Sequence, residues 1–214
     1  MKLYISILIA ATLTAFGFDS AKNVDTIYPY SPTETYVDNQ TDYDFGGFLA
    51  NKAYELTSDD VIYDPSYVYI DYPNGDVAPD KGVCTDVVIR AYRKIGIDLQ
   101  VKVHEDMLAN LNLYNEVKTD RNIDHRRVRN LMIFFERFGD TYRNSKDPKD
   151  YAPGDIVCWN LGGAITHIGV VSNYLSDDGL RYKVVHNIGG GQNLEDFLFK
   201  AKIIGHYTYG PISH

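Results

Sequence analysis

The chain has 214 residues, 44% of them hydrophobic and 23% charged, with a formal net charge of −8. That length suits one well-buried domain behind a processed leader, and the composition excludes a disordered chain. Lys and Arg are dispersed rather than striped, which excludes the basic footprint that nucleic acid requires, and two cysteines are too few for a disulfide-stapled scaffold.

Lys2 precedes an apolar run from Leu3 to Phe18, after which the chain turns polar. This is the order of a secretory signal peptide, and the run is shorter than the ~20 residues that span a bilayer. The expectation is a leader over residues 1–21, cut after Gly17 or Ala21, export to the periplasm or cell envelope, and no stable membrane insertion afterwards. Residues 22–45, rich in Asp, Thr, Tyr, Asn and Pro, read as an exposed N-terminal arm. Residues 46–210 read as one catalytic domain.

Within that domain, Phe48, Leu49, Ala53 and Leu56 carry the spacing of an amphipathic helix. A tyrosine-rich connection follows, with turn signals at Asp64-Pro65, Tyr72-Pro73, Asn74-Gly75 and Ala78-Pro79. It is long for a plain loop, and long ordered loops usually serve a site. The clearest helix places Cys84, Val87, Val88, Ala91, Tyr92 and Ile95 on one stripe and ends at Gly96. His104 to Tyr114 and Val128 to Phe138 are two further helices, the second closed by Gly139. After Pro148 short apolar runs alternate with turn residues, and Asp155–Trp159, Thr166–Ser172, Tyr182–His186 and Lys202–Tyr207 read as strands. Helices first and strands second predict a segregated α+β fold.

Chemistry concentrates at three residues. A thiol attacks as its thiolate, and a free cysteine is only a few per cent ionised near neutral pH. Cys84 opens its helix, where unpaired amides and the macrodipole favour negative charge. His167 opens one strand and His186 closes the next, so a hairpin through Asp177-Asp178-Gly179 sets the two imidazoles side by side. The expected triad is Cys84 as nucleophile, His167 as base and His186 as orienter. A bridge between Cys84 and Cys158 is the competing use of the thiols; the expectation is that both stay free.

The order of a helix-opening cysteine, a Pro153-Gly154-Asp155 turn, a His-Ile-Gly strand and a strand ending in histidine resembles the NlpC-type peptidoglycan cysteine peptidases. The stretches YDPSYVYIDYPNGDV, GVCTDVVIRAYRKIGIDLQ, YAPGDIVCWNL, THIGVVS, VVHNIGGG and GHY are similar, more closely, to the bacterial envelope family known as domain of unknown function 1287, from about Ala53 to Tyr207. The resemblance implies a papain-like fold, with N-terminal helices packed on a small antiparallel sheet or barrel, and hydrolysis of amide bonds in peptidoglycan stem peptides through a Cys84 thioester. Peptidoglycan or wall-derived peptides are the implied partners, and no cofactor is needed. NlpC-type enzymes usually show Asp-Cys-Ser-Gly, whereas Val83, Thr85 and Asp86 flank the cysteine here. Arg90, one turn on, is the expected partner of Asp86.

Tyr63, Asp86 and Asn187 are the candidates for oxyanion or substrate binding, beside the Cys84 amide itself. His104, Glu105, Asp106, Asp124 and His125 have metal-ligand residue types but no HExxH-like spacing, so the expectation there is ion pairs with Arg126 and Arg127 and no metal. Gly189 to Gly191 reads as a turn. Two other functions keep the same fold: a thiol acyltransferase or lipid-directed enzyme, which needs an apolar groove, and a non-catalytic wall-binding module.

Overall fold

The computed structural model describes residues 44–211, so the expected leader and nearly all of the arm lie outside the described residues. No helix among them is long and apolar enough to cross a membrane. Four helices come first, α1 (Phe45–Glu55), α2 (Cys84–Lys94), α3 (Leu99–Asn110) and α4 (Val128–Phe138). In the connection between α1 and α2, two-residue strands β1 (Ile62–Tyr63) and β2 (Lys81–Gly82) pair in parallel. Six strands follow: β3 (Asp140–Thr141), β4 (Ile156–Gly162), β5 (Ile165–Leu175), β6 (Tyr182–His186), β7 (Asn193–Glu195) and β8 (Lys202–Thr208). They form one antiparallel sheet in the order β3-β8-β4-β5-β6-β7, and the segregated α+β class holds.

Local chemistry sets the helix starts. Asp44 accepts from the Gly47 amide at 2.8 Å and begins α1. Asp98 accepts from the amides of Gln100 and Val101, so α3 starts at Leu99, five residues before the expected His104. A short 3-10 turn, Leu111–Tyr114, replaces the last turn expected of it. Val83 has no polar side chain to cap α2. Instead Asp86, three residues on, reaches back and accepts from the Val83 amide at 2.7 Å, half of a capping box.

Alternation divides the sheet into two cores. On the helix side, Ile156, Cys158, Ile168, Val170, Val185 and Tyr207 pack with Cys84, Val87, Val88, Tyr92 and Phe135. On the far side, Val157, Trp159, Val171 and Val184 are covered by Phe197 and Leu198, and the Trp159 indole donates to the Leu198 carbonyl at 2.9 Å. Each large apolar side chain so buried contributes roughly 1.5–3 kcal/mol. The segment after β7 is therefore a lid on the second core.

Candidate active site

Cys84 is the first residue of α2 and lines a cleft of about 560 Å³ together with Tyr63, Arg126, Arg127, Arg129 and Thr166. Both cysteines are free thiols, and Cys158 is wholly buried on the same side of the sheet. What places the sulfur is the backbone of β5. Val171 exchanges its hydrogen bonds with the β4 side, at Asp155 and Gly154, so the amides of Val170 and Ile168 point the other way, toward β6. Because β6 ends at His186, the Ile168 amide is left without a strand partner there and favours the thiolate of nearby Cys84. The Cys84 sulfur thus lies near the strand backbone, one residue along from His167.

The two histidines meet on the far side of the sheet. His167 Nε2 and His186 Nδ1 are 2.9 Å apart, with the rings edge to face. Trp159 and Phe197 wall His167, and Phe197 also packs on His186. Gly169 makes this approach possible: a Cβ there would stand 2.7 Å from Val184 Cγ1 and 3.0 Å from the His186 Cβ. His167 Nδ1 has no hydrogen-bond partner among the described residues, and no side chain hydrogen-bonds the Cys84 sulfur.

Electrostatics differ from the sequence expectation. Burial pushes the Cys84 thiol up to about 11, outweighing the amides of Ile168, Thr85 and Cys84, which favour the thiolate; the Asp86 charge adds to the rise. Burial, and then the charge of His186, lower His167 to about 3. At neutral pH the resting pair is therefore thiol and neutral imidazole, because the helix terminus does not overcome desolvation.

The remaining candidates divide. Tyr63 lines the cleft and is half-exposed, and burial followed by the nearby Cys84 and Asp86 charges raises its phenol, so it stands as a protonated donor near the sulfur. Asp86 is buried and accepts two bonds from Arg126, at 2.8 and 2.9 Å. Its expected partner Arg90 instead holds Asp76 at 3.0 Å. Asn187, wholly buried, donates to the Gly82 carbonyl at 3.4 Å and accepts from the Gly189 amide at 3.1 Å, tying the end of β6 to the approach to Cys84. Asp86 and Asn187 therefore position the nucleophile's loop and do not line the cleft.

The acidic and histidine cluster is also wired differently. His104 pairs with Asp124 at 3.0 Å, Asp106 with Arg137 at 2.7 Å, and Arg127 with Glu116 at 2.5 Å. Arg126 and Arg127 therefore turn away from the acids expected to hold them. Sequence reasoning missed two residues at the site. Arg126 carries no local signal, since its partner lies 40 positions away. Glu195 stands 3.4 Å from His186 Nε2, in a stretch whose three-residue strand is too short for alternation to reveal.

No solved structure matches the chain. A protein of Escherichia coli (strain K12) described as "Uncharacterized protein YijF" is 43% identical over 208 residues, which cover 95% of this chain and 97% of that one. The model of the family described as "Domain of unknown function (DUF1287)" matches residues 50–209, nearly all of the described domain, and on both counts the chain belongs to that family.

Proposed function

We propose that the chain is an exported cysteine hydrolase of papain-like, NlpC-type design that cleaves amide bonds in peptidoglycan stem peptides. The observation that carries the reading is the sulfur at the start of α2, opening on a cleft near the amide that follows His167, while the Nε2 of that imidazole is engaged by His186. In the reaction Cys84 Sγ attacks the amide carbonyl as His167 Nδ1 takes the thiol proton. The C–N bond then breaks, with the proton passing from His167 to the leaving amine, and water releases the acid from the thioester with His167 again as base. Since thiol and imidazole both rest neutral, proton transfer accompanies attack rather than preceding it. Tyr63 is positioned to donate to the developing oxyanion.

Charged walls favour a polar peptide over an acyl chain. Arg126, Arg127, Arg129, Glu116 and Glu136 all line the cleft; Arg126 and Arg127 are already paired, with Asp86 and Glu116, whereas Arg129 has no carboxylate partner among the described residues. A free carboxylate on the substrate peptide supplies one. Cys84→Ala is expected to abolish release of peptides from purified peptidoglycan while leaving the circular dichroism spectrum and melting temperature of the fold in place. Unchanged release from a folded variant rejects the hydrolase.

A further inference from the structure

We infer that Glu195 is a positioning residue that sets the tautomers of both histidines, so that His167 presents a bare Nδ1 to Cys84. The inference rests on the role proposed above for His167.

An imidazole pair joined by one hydrogen bond has two neutral arrangements, and they are opposite in consequence. If His186 Nδ1 carries its proton, it donates to His167 Nε2, and the proton of His167 sits on Nδ1, which then cannot take one from a thiol. If His186 carries its proton on Nε2, its Nδ1 accepts from His167 Nε2–H, and His167 Nδ1 is a lone pair. The 2.9 Å contact between Nε2 and Nδ1 is compatible with both. Which one prevails depends on what faces the far nitrogen of His186.

That nitrogen is buried and makes no well-aligned hydrogen bond, and the nearest charged group to it is the Glu195 carboxylate, 3.4 Å away. A carboxylate only accepts, so a proton on Nε2 is favoured there and a lone pair is repelled. The titratable groups facing His186 are His167 from β5 and Glu195 from β7; Phe197 closes the remaining side with an apolar ring. Glu195 also opposes burial in favouring the protonated form of His186, so the carboxylate supports the imidazole pair when it holds the proton taken from Cys84. The position is imposed by strand register: Val184 pairs with Glu195 and His186 with Asn193 across β6 and β7. Carboxylates that orient a metal-bound histidine typically change activity by about 10–100-fold, and an effect of that order is expected of Glu195.

Imidazole nitrogen chemical shifts report the tautomer directly. In the full chain at neutral pH, the wild type is expected to show His167 and His186 both protonated at Nε2. Glu195→Ala is expected to move both pairs of nitrogen shifts toward the mixed-tautomer average and to slow alkylation of Cys84 by iodoacetamide about tenfold, with Glu195→Gln, which keeps the shape and loses the charge, in between. Glu195 lies on an exposed edge strand, so both variants should retain the wild-type melting temperature. A wild-type His167 protonated at Nδ1, or nitrogen shifts unchanged in Glu195→Ala, overturns the inference. Neither readout needs hydrolysis: loss of the hydrolase reading appears in the Cys84→Ala digest, and loss of this one in the nitrogen spectra.

Discussion

The sheet carries two buried histidine contacts that look alike and differ in what they leave free. At one end His206 Nε2 meets the Asp155 carboxylate at 2.6 Å, and its ring stacks on Tyr151 at 4.3 Å. Asp155 also accepts from the Ala152 amide, which closes the Pro-Gly-Asp turn into β4. At the other end His167 meets a second imidazole, and its Nδ1 has no partner among the described residues. Pairing with an acceptor-only group fixes one proton position; pairing with a group that both donates and accepts permits the proton to move. The first contact is suited to holding strands, the second to chemistry.

Substitutions at the two ends should separate those roles. His167→Ala is expected to cost about 10³-fold in the rate of peptide release, in the range of a lost general base. His186→Ala should cost less, about 10–100-fold; the reverse order, read from initial rates on the same substrate, would exchange base and orienter. Asp155→Ala should do the opposite of both. It leaves a buried imidazole unsatisfied and should lower stability by about 1–3 kcal/mol in urea unfolding, while the folded fraction keeps its rate.

The pH dependence of stability sharpens the contrast further. Burial lowers His167 and His125 to about 3 each, below the value near 6.5 of an unfolded chain. The unfolded state therefore takes up these protons first, and stability should fall as pH drops from about 6.5 toward 3, each histidine adding a slope of about 1.4 kcal/mol per pH unit. His125→Gln, away from the nucleophile, should flatten part of that slope in urea titrations between pH 7 and 4. The smallest effect is expected of Arg129→Glu, a several-fold rise in KM for acidic peptides with kcat nearly unchanged; a fall in kcat alone would remove Arg129 from substrate binding.

Much of this was legible in the residues themselves. The apolar stripe of α2 and the even spacing of β4, β5, β6 and β8 announced themselves, and the ends of β6 match the expected Tyr182–His186. β3 and β7 did not, because strands of two and three residues hold too few positions for a period to emerge. Their existence depends on neighbours supplied from elsewhere in the chain. The same reason hid Glu195. Helical spacing makes Asp86 and Arg90 neighbours, yet Arg90 pairs with Asp76 and Asp86 with Arg126, partners that only three dimensions bring together. The pKa of Cys84 was misjudged for a related cause: a helix terminus can be read from sequence, whereas the depth at which it is buried cannot.

The strand order has a consequence for biogenesis. β8, encoded last, does not trim an edge but inserts between β3 and β4. Until residue 208 has emerged, β4 presents a bare edge and β3 has nothing to pair with, so synthesis delivers an open template for mispairing before it delivers a closed fold. Closure of this sheet therefore waits on β8, the last of its strands in chain order.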